Sequence, residues 1–333
     1  MTNNAADIGL KLEAQGALPN FRYDVIQPLV QGRVVIEGVR LDVSAPTASA
    51  GLFDDPRFKE GDFGLLDANW GDLLPAIDAG WDIVLLPLFI KRKPVLNYLW
   101  VRADRGIETP KDLEARTIAT GGYTSAISSY TRGFLQHFWG VDLTRLRWLL
   151  PASNRFDVHD KRIEFAVAEG LRKSPVQRLL DGEVDASTGD ITDARAWQAL
   201  ESSPQVKRLF PDYREENRRL QTQGLLTPVH VICMGGKTDR AYPGLARRVY
   251  DAFERARELA YDDALGDGAG YSLTLGNRES IRDQVAASGD VWKHGIAANQ
   301  NAIETFLQYN YEQGITKTRQ TTADVFAQST LDT

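Results

Sequence analysis

The sequence is poor in the features that mark several broad classes of protein. Its single cysteine, Cys233, cannot form an internal disulfide, and its place in the apolar run Val229-His-Val-Ile-Cys-Met234 reads as a buried, inert thiol rather than a nucleophile. Basic residues are in the minority. Lys+Arg number 39 against Asp+Glu 45, a formal net charge of −6, which argues against a general nucleic-acid binder because phosphate neutralisation needs a concentrated basic surface. No apolar run reaches the roughly eighteen residues of a membrane-spanning helix, so none is expected. The opening Met1-Thr-Asn-Asn-Ala-Ala-Asp7 has neither a positive n-region nor an apolar h-region, so no secretory signal is expected and the expected location is cytoplasmic.

Several chemical signatures are missing too. There is no Gly-x-Ser-x-Gly elbow, which disfavours a serine hydrolase of that type. The loop Gly266-Asp-Gly-Ala-Gly270 follows a helical pattern rather than a strand, so it reads as a connection and not a nucleotide fingerprint. The four histidines, His137, His159, His230 and His294, are not spaced as metal pairs; an ion would have to gather His230, His294 and Asp67 from distant segments, so no metal is expected.

What is present is an ordinary globular composition, 43% hydrophobic and 25% charged over 333 residues, enough for about two domains. Short apolar strands alternate with helical patterns: a fully apolar strand over Asp82–Phe89, a strand over Val95–Arg102, a helix over Asn69–Ala79 and another over Ala298–Gln313. This alternation predicts an α/β fold with largely parallel sheet. The charged run Asp212–Arg219 reads as a solvated helix face.

The stretch around which the rest is organised is Ala119-Thr120-Gly121-Gly122-Tyr123-Thr124-Ser125, between a strand near Thr117–Ala119 and a helix ending near Gly140. Ile127, Tyr130, Phe134, Leu135 and Phe138 give that helix one apolar face. Small residues, with Thr124 or Ser125 as cap, would leave the first N–H groups pointing outward to hold an anion. No Gly-Lys-Ser/Thr follows, so this is not a P-loop; phosphate or carboxylate both fit, and so does an ordinary strand-to-helix turn.

A family pattern enters with four phrases: Phe21-Arg-Tyr-Asp24 leading to Gly32-Arg-Val-Val-Ile-Glu-Gly38; Gly106-Ile-Glu-Thr-Pro-Lys-Asp-Leu113; Arg132-Gly-Phe-Leu-Gln136 with Gly140-Val-Asp142; and Tyr309-Asn-Tyr-Glu-Gln-Gly314. Together they resemble 4,5-dihydroxyphthalate decarboxylase and its relatives, a group with the fold of type II periplasmic solute-binding proteins. The resemblance implies two α/β lobes with an interlobe cleft, residues 1–102 plus 232–333 forming one and 103–231 the other. The crossings would lie near Val101–Ala103 and Thr227–Val231. In the cleft the anion becomes a carboxylate.

The resemblance also implies an activity that needs no organic cofactor: decarboxylation of a hydroxylated aromatic acid, with the ring carbon protonated by a general acid. His230 and His294 are the acid candidates, and Asp67 would hold a ring hydroxyl or orient a histidine. Thr120, Tyr123, Thr124, Ser125 and Arg92 would hold the substrate, with Asn69, Trp70 and Asn299 as further contacts, Trp70 stacking on the ring or filling core. Arg132 reads as a surface salt bridge. The chain departs from the pattern at Gln27, at Val95-Leu96 and at Gln300, where basic residues are expected, which implies a less charged ligand. Two readings follow: a lyase, expected as a homo-oligomer free of nucleic acid and membrane, or a non-catalytic solute-binding protein for an aromatic carboxylate.

Overall fold

The computed structural model describes residues 8–14, 23–45, 52–169, 173–189, 191, 193–266 and 278–333. Phe21 and Arg22 of the opening phrase, and residues 267–270 of the glycine loop, lie outside them. The described strands are β1 (Ile8–Glu13), β2 (Val39–Ser44), β3 (Leu65–Asn69), β4 (Ile83–Arg92), β5 (Trp100–Arg102), β6 (Thr117–Thr120), β7 (Arg147–Leu150), β8 (Glu164–Val167), β9 (Ala186–Thr188), β10 (Val206–Arg208) and β11 (Pro228–Gly235). They form two sheets, ordered β2-β1-β3-β11-β4 and β10-β5-β9-β6-β7-β8. Each is mixed: β11 runs antiparallel to β3 and β4, and β5 antiparallel to β9 and β10.

Sheet membership moves the expected lobe boundaries. Trp100–Arg102 pairs in the second sheet and Pro228–Gly235 in the first, so the chain changes sheets within residues 93–99 and 209–227. The two passages are tied together where Lys93 N–H donates to the Thr227 carbonyl at 3.1 Å and the Thr227 hydroxyl donates to the Lys93 carbonyl. The predicted strand over Val95–Arg102 is a 3-10 turn at Val95–Tyr98 followed by the short β5.

The helices of nine residues or more are α1 (Trp70–Asp78), α2 (Ala126–Trp139), α3 (Ala194–Ser202), α4 (Tyr213–Thr222), α5 (Leu245–Leu265), α6 (Arg278–Ser288) and α7 (Ile296–Glu312). On one face of the first sheet, Leu10, Leu12, Leu86, Ile90 and Ile232 pack on Val249 and Phe253 of α5. On its other face, a continuous apolar cluster runs from Leu66, Leu85 and Phe89 through Trp70 and Phe306 to Tyr130, Ile118 and Ala186 of the second lobe.

Strand β4 is apolar because both clusters cover it, yet it is an edge strand, where Pro87 is tolerated. An uncovered edge invites association. Here the C-terminal region seals it: Ala327 N–H donates to the Leu85 carbonyl (2.8 Å), Gly295 N–H to the Pro87 carbonyl (2.8 Å), and His294 Nδ1 accepts from Phe89 N–H (3.2 Å).

The lobes are fused where α2 meets α7. Tyr130 lies over Phe306 with ring centroids 4.5 Å apart, and Phe306 stacks on Trp70 at 4.2 Å. Tyr309 rests on Gly133, where a Cβ would penetrate its ring, and on the His137 ring at 4.9 Å. Arg132 is completely buried, not a surface ion pair. Its Nε donates to Gln313 Oε1 (2.7 Å) and its Nη2 to the Tyr123 carbonyl (2.6 Å), while the guanidinium lies 3.6 Å from the Tyr123 ring centroid. Burial holds its pKa down to about 10.

Gly133→Ala decides what this glycine does. Helix propensity alone would make alanine more stable by about 1 kcal/mol. Overpacking against Tyr309 makes it less stable by roughly 2–3 kcal/mol, read as a lowered urea midpoint.

Candidate functional site

The sequence-predicted residues divide into a hydrogen-bonded pair, Asp67 and His230, and a group bonded into the frame. Strand β3 carries Asp67 at its centre. Its neighbour β11 sets Ile232 opposite Asp67 and His230 opposite Asn69. Against β4 the register slips on both sides of His230, an irregularity of the kind that re-aims a side chain. His230 Nδ1 lies 2.7 Å from Asp67 Oδ1, the carboxylate side chain fully buried and the imidazole partly exposed. An acceptor-only carboxylate requires hydrogen on Nδ1. Nε2 then carries the lone pair in the neutral ring and the transferable proton in the charged one.

Beside this pair lies Asp72, in the first turn of α1. It is half-buried and accepts a hydrogen bond from the Thr124 hydroxyl. Burial raises its pKa, opposed by the Thr124 hydrogen bond and by His230 and Arg155. Asn69, the cap of α1, accepts from Gly71 N–H (3.1 Å) and also from Ala126 N–H (3.0 Å), the first residue of α2.

That contact corrects the expected carboxylate seat. The start of α2 faces the first lobe, and Asn69 fills the place an anion would take. A Cβ on Gly71 would overlap the Thr124 carbonyl, so the close approach requires glycine. Thr120 Oγ1 lies 2.6 Å from Ser128 Oγ, Ser125 Oγ donates to Ser128 Oγ at 2.9 Å, Thr124 is held by Asp72, and Tyr123 is buried beneath Arg132. The donors expected to grip a ligand grip the protein instead.

Four further predicted residues are also structural. Arg92 donates to the Leu226 carbonyl (3.1 Å), the Lys293 carbonyl (3.4 Å) and Asn299 Oδ1 (2.6 Å), and burial holds its pKa down to about 10. Asn299 donates in turn to the Lys293 and Gly295 carbonyls. Trp70 stacks on Phe306 and donates to the Pro228 carbonyl (3.1 Å), which makes it core. His294 is buried away from Asp67 and His230, serving the edge of β4. Burial, then Arg92 and Arg257, push its pKa well below the ordinary imidazole value, so it is neutral and no proton donor near pH 7.

Sequence reasoning missed a pocket of about 220 Å³ at the carboxyl ends of β6 and β9, lined by Tyr98, Gly121, Ser187, Thr188, Ile191 and Ala196 among others. The small, hydroxyl-bearing Ser187-Thr188-Gly189 at the end of β9 is the same signal that singled out Thr120-Gly121-Gly122 at the end of β6. Among the described residues, no cluster of three or more His, Cys, Asp or Glu could hold a metal ion.

No family model matches the chain. Over 340 residues it is 26% identical to the 4,5-dihydroxyphthalate decarboxylase of Comamonas testosteroni, covering 97% of this chain and 98% of that one. The similarity to that decarboxylase runs nearly end to end in both chains. Its fold is that of the periplasmic binding proteins. The sulfonate-binding protein SsuA of Methylobacillus flagellatus superposes with a TM-score of 0.57 at 12% identity, over 97% of this chain and 92% of that one. The aliphatic sulphonate binding protein SsuA of Escherichia coli gives 0.50 at 13%, over 98% and 99%. At such identities the likeness concerns fold alone.

A neutral, buried His294 makes stability depend on pH with a definite sign. Its folded pKa lies below the unfolded value of about 6.5, so its contribution is complete above that pH and lost as pH falls. His294→Asn offers an oxygen in place of Nδ1 to Phe89 N–H and has no such titration. Relative to that variant, the wild-type chain should lose about 1.4 kcal/mol per pH unit below pH 6, measured by urea unfolding.

Proposed function

We propose that this protein is a cofactor-independent lyase that removes CO2 from a hydroxylated aromatic carboxylic acid between its lobes, with His230 supplying the proton. The observation that carries the reading is the Asp67–His230 pair: a buried carboxylate fixing one imidazole nitrogen and leaving the other available. The likeness to a decarboxylase across nearly the whole chain supports it.

In this scheme the Nε2 proton of imidazolium His230 forms a C–H bond at the ring carbon bearing the carboxylate. The bond from that carbon to the carboxylate breaks, its electron pair returns to the ring, and CO2 leaves. Asp67 stabilises the imidazolium beforehand, and solvent restores its proton afterwards. Arg92 is already bonded within the protein, and basic residues are replaced at Gln27 and Gln300, so the favoured substrate is a hydroxylated monoacid rather than a phthalate dianion. The same reading has the lyase act in the cytoplasm as a homo-oligomer.

The second reading is a solute-binding protein without chemistry, favoured by the architecture it shares with sulphonate receptors. CO2 release over a panel of hydroxybenzoates and phthalates separates the two. Turnover of at least one hydroxylated acid is expected, and tight binding with no turnover of any would leave only the receptor. His230→Gln should lower kcat by roughly 10²–10⁴-fold with little change in KM, as expected on losing a general acid; Asp67→Asn should lower it less. Full turnover in His230→Gln would remove the histidine from the mechanism.

A further inference from the structure

The pocket beside β9 lies at a position with topological meaning. From β6 the chain passes through α2 to β7 and on to β8 on one side, and then returns to β9 on the other side of β6. Where strand order reverses, the carboxyl ends of the two strands splay, and open α/β sheets bind ligands in that crevice. Gly121 and Gly189 follow β6 and β9 and both line the pocket.

The lining has a definite chemistry. Tyr98, Pro175, Val176, Ile191 and Ala196 give it apolar walls, and among the described residues no lysine, arginine or histidine lines it. The one carboxylate among the described lining residues is Asp193, whose Oδ1 already accepts from Arg195 N–H (2.9 Å) as the cap of α3. Thr188 is 2% exposed, and its Oγ1 is a buried polar atom without a partner. Such an atom costs free energy unless something bonds to it. An engineered cavity of about 150 Å³ holds benzene. The roughly 220 Å³ here leaves room for a ring and its substituents.

We infer that this pocket binds the uncharged, hydroxyl-bearing edge of an aromatic ring, with Thr188 and Ser187 bonding to the ring hydroxyl, and that it excludes carboxylates. An anion would meet no cation among the described lining residues and would face Asp193. The inference rests on the lyase reading only in taking that ring to be the substrate's, with the acid group directed elsewhere; the preference for neutral phenols follows from the pocket itself.

Calorimetric titration of the full chain with catechol, phenol and phthalate tests it. Catechol and phenol should bind, and phthalate should not compete with them. Thr188→Val should weaken catechol three- to ten-fold without lowering Tm, because it removes a hydroxyl that has no partner in the free protein. Ala196→Leu, on a wall that is only half buried, should weaken it by filling the space. No catechol binding at millimolar concentration, unchanged affinity in both variants, or displacement of catechol by phthalate would each overturn the assignment. Catechol binding with these losses but no decarboxylation of any acid would keep the pocket and remove the lyase. Decarboxylation with kcat/KM unchanged in Thr188→Val would do the reverse.

Discussion

The contact on which the rest of the structure depends is Tyr309 lying against the bare backbone of Gly133. It brings α7 of the first lobe within ring-packing distance of α2 of the second. That proximity allows Phe306 to be shared between Trp70 and Tyr130, and Gln313 to reach Arg132. A rotation parting these helices would expose Trp70, Tyr130 and Phe306, all fully buried, at a cost of roughly 2 kcal/mol each before the Arg132 network is counted. Access that leaves the α2–α7 contact intact is therefore cheaper than wide separation of the lobes. A fixed frame suits a site that must hold a proton donor against a ring carbon, where small misplacements are costly in rate.

The two histidines singled out in the sequence show how environment assigns a role. Both use Nδ1 for a hydrogen bond within the protein. His294 Nδ1 accepts from the backbone of an edge strand, which requires the neutral ring, while burial beside Arg92 and Arg257 disfavours charge. His230 faces two carboxyl groups, Asp67 and Asp72, and is partly open. The difference is in the sign of the neighbouring charges, and it separates a structural acceptor from a candidate acid.

Much of the frame was legible in the sequence. The apolar period of α2, the strand at Thr117, the capping box at Thr321–Asp324 and the burial of β4 on both faces all follow from local pattern, and the resemblance to the decarboxylase family supplied the two-lobed arrangement. The site was less legible because its hydrogen bonds are not local. Thr120, Tyr123, Thr124 and Ser125 have the right groups for an anion, but whether those groups are free depends on Asn69, Asp72 and Arg132. Asn69 lies 57 residues before the N–H it caps. Arg132 looked exposed because arginine usually is, and only the fold reveals that Gln313 and the Tyr123 ring enclose it. Asp67 and His230 stand out in the sequence because their chemistry is scarce, while Ser187 and Thr188 were passed over because theirs is common.

The phrases that carry the family resemblance converge in space. Arg132-Gly133 meets Tyr309 and Gln313, and the Glu312 carboxylate takes His137 Nε2 at 2.6 Å, so two of the most recognisable stretches are the two halves of one joint. The first phrase is partly structural too, with Arg33 bridging to Asp263 on α5. Residues that weld lobes together specify architecture and say little about what the lobes enclose, and a binding protein could use the same joint. The case for catalysis therefore has to be made by side chains outside those phrases. In the proposed lyase those side chains are Asp67 and His230, a fully desolvated carboxylate bonded to an imidazole, which is costly to maintain without a use for the ring's second nitrogen.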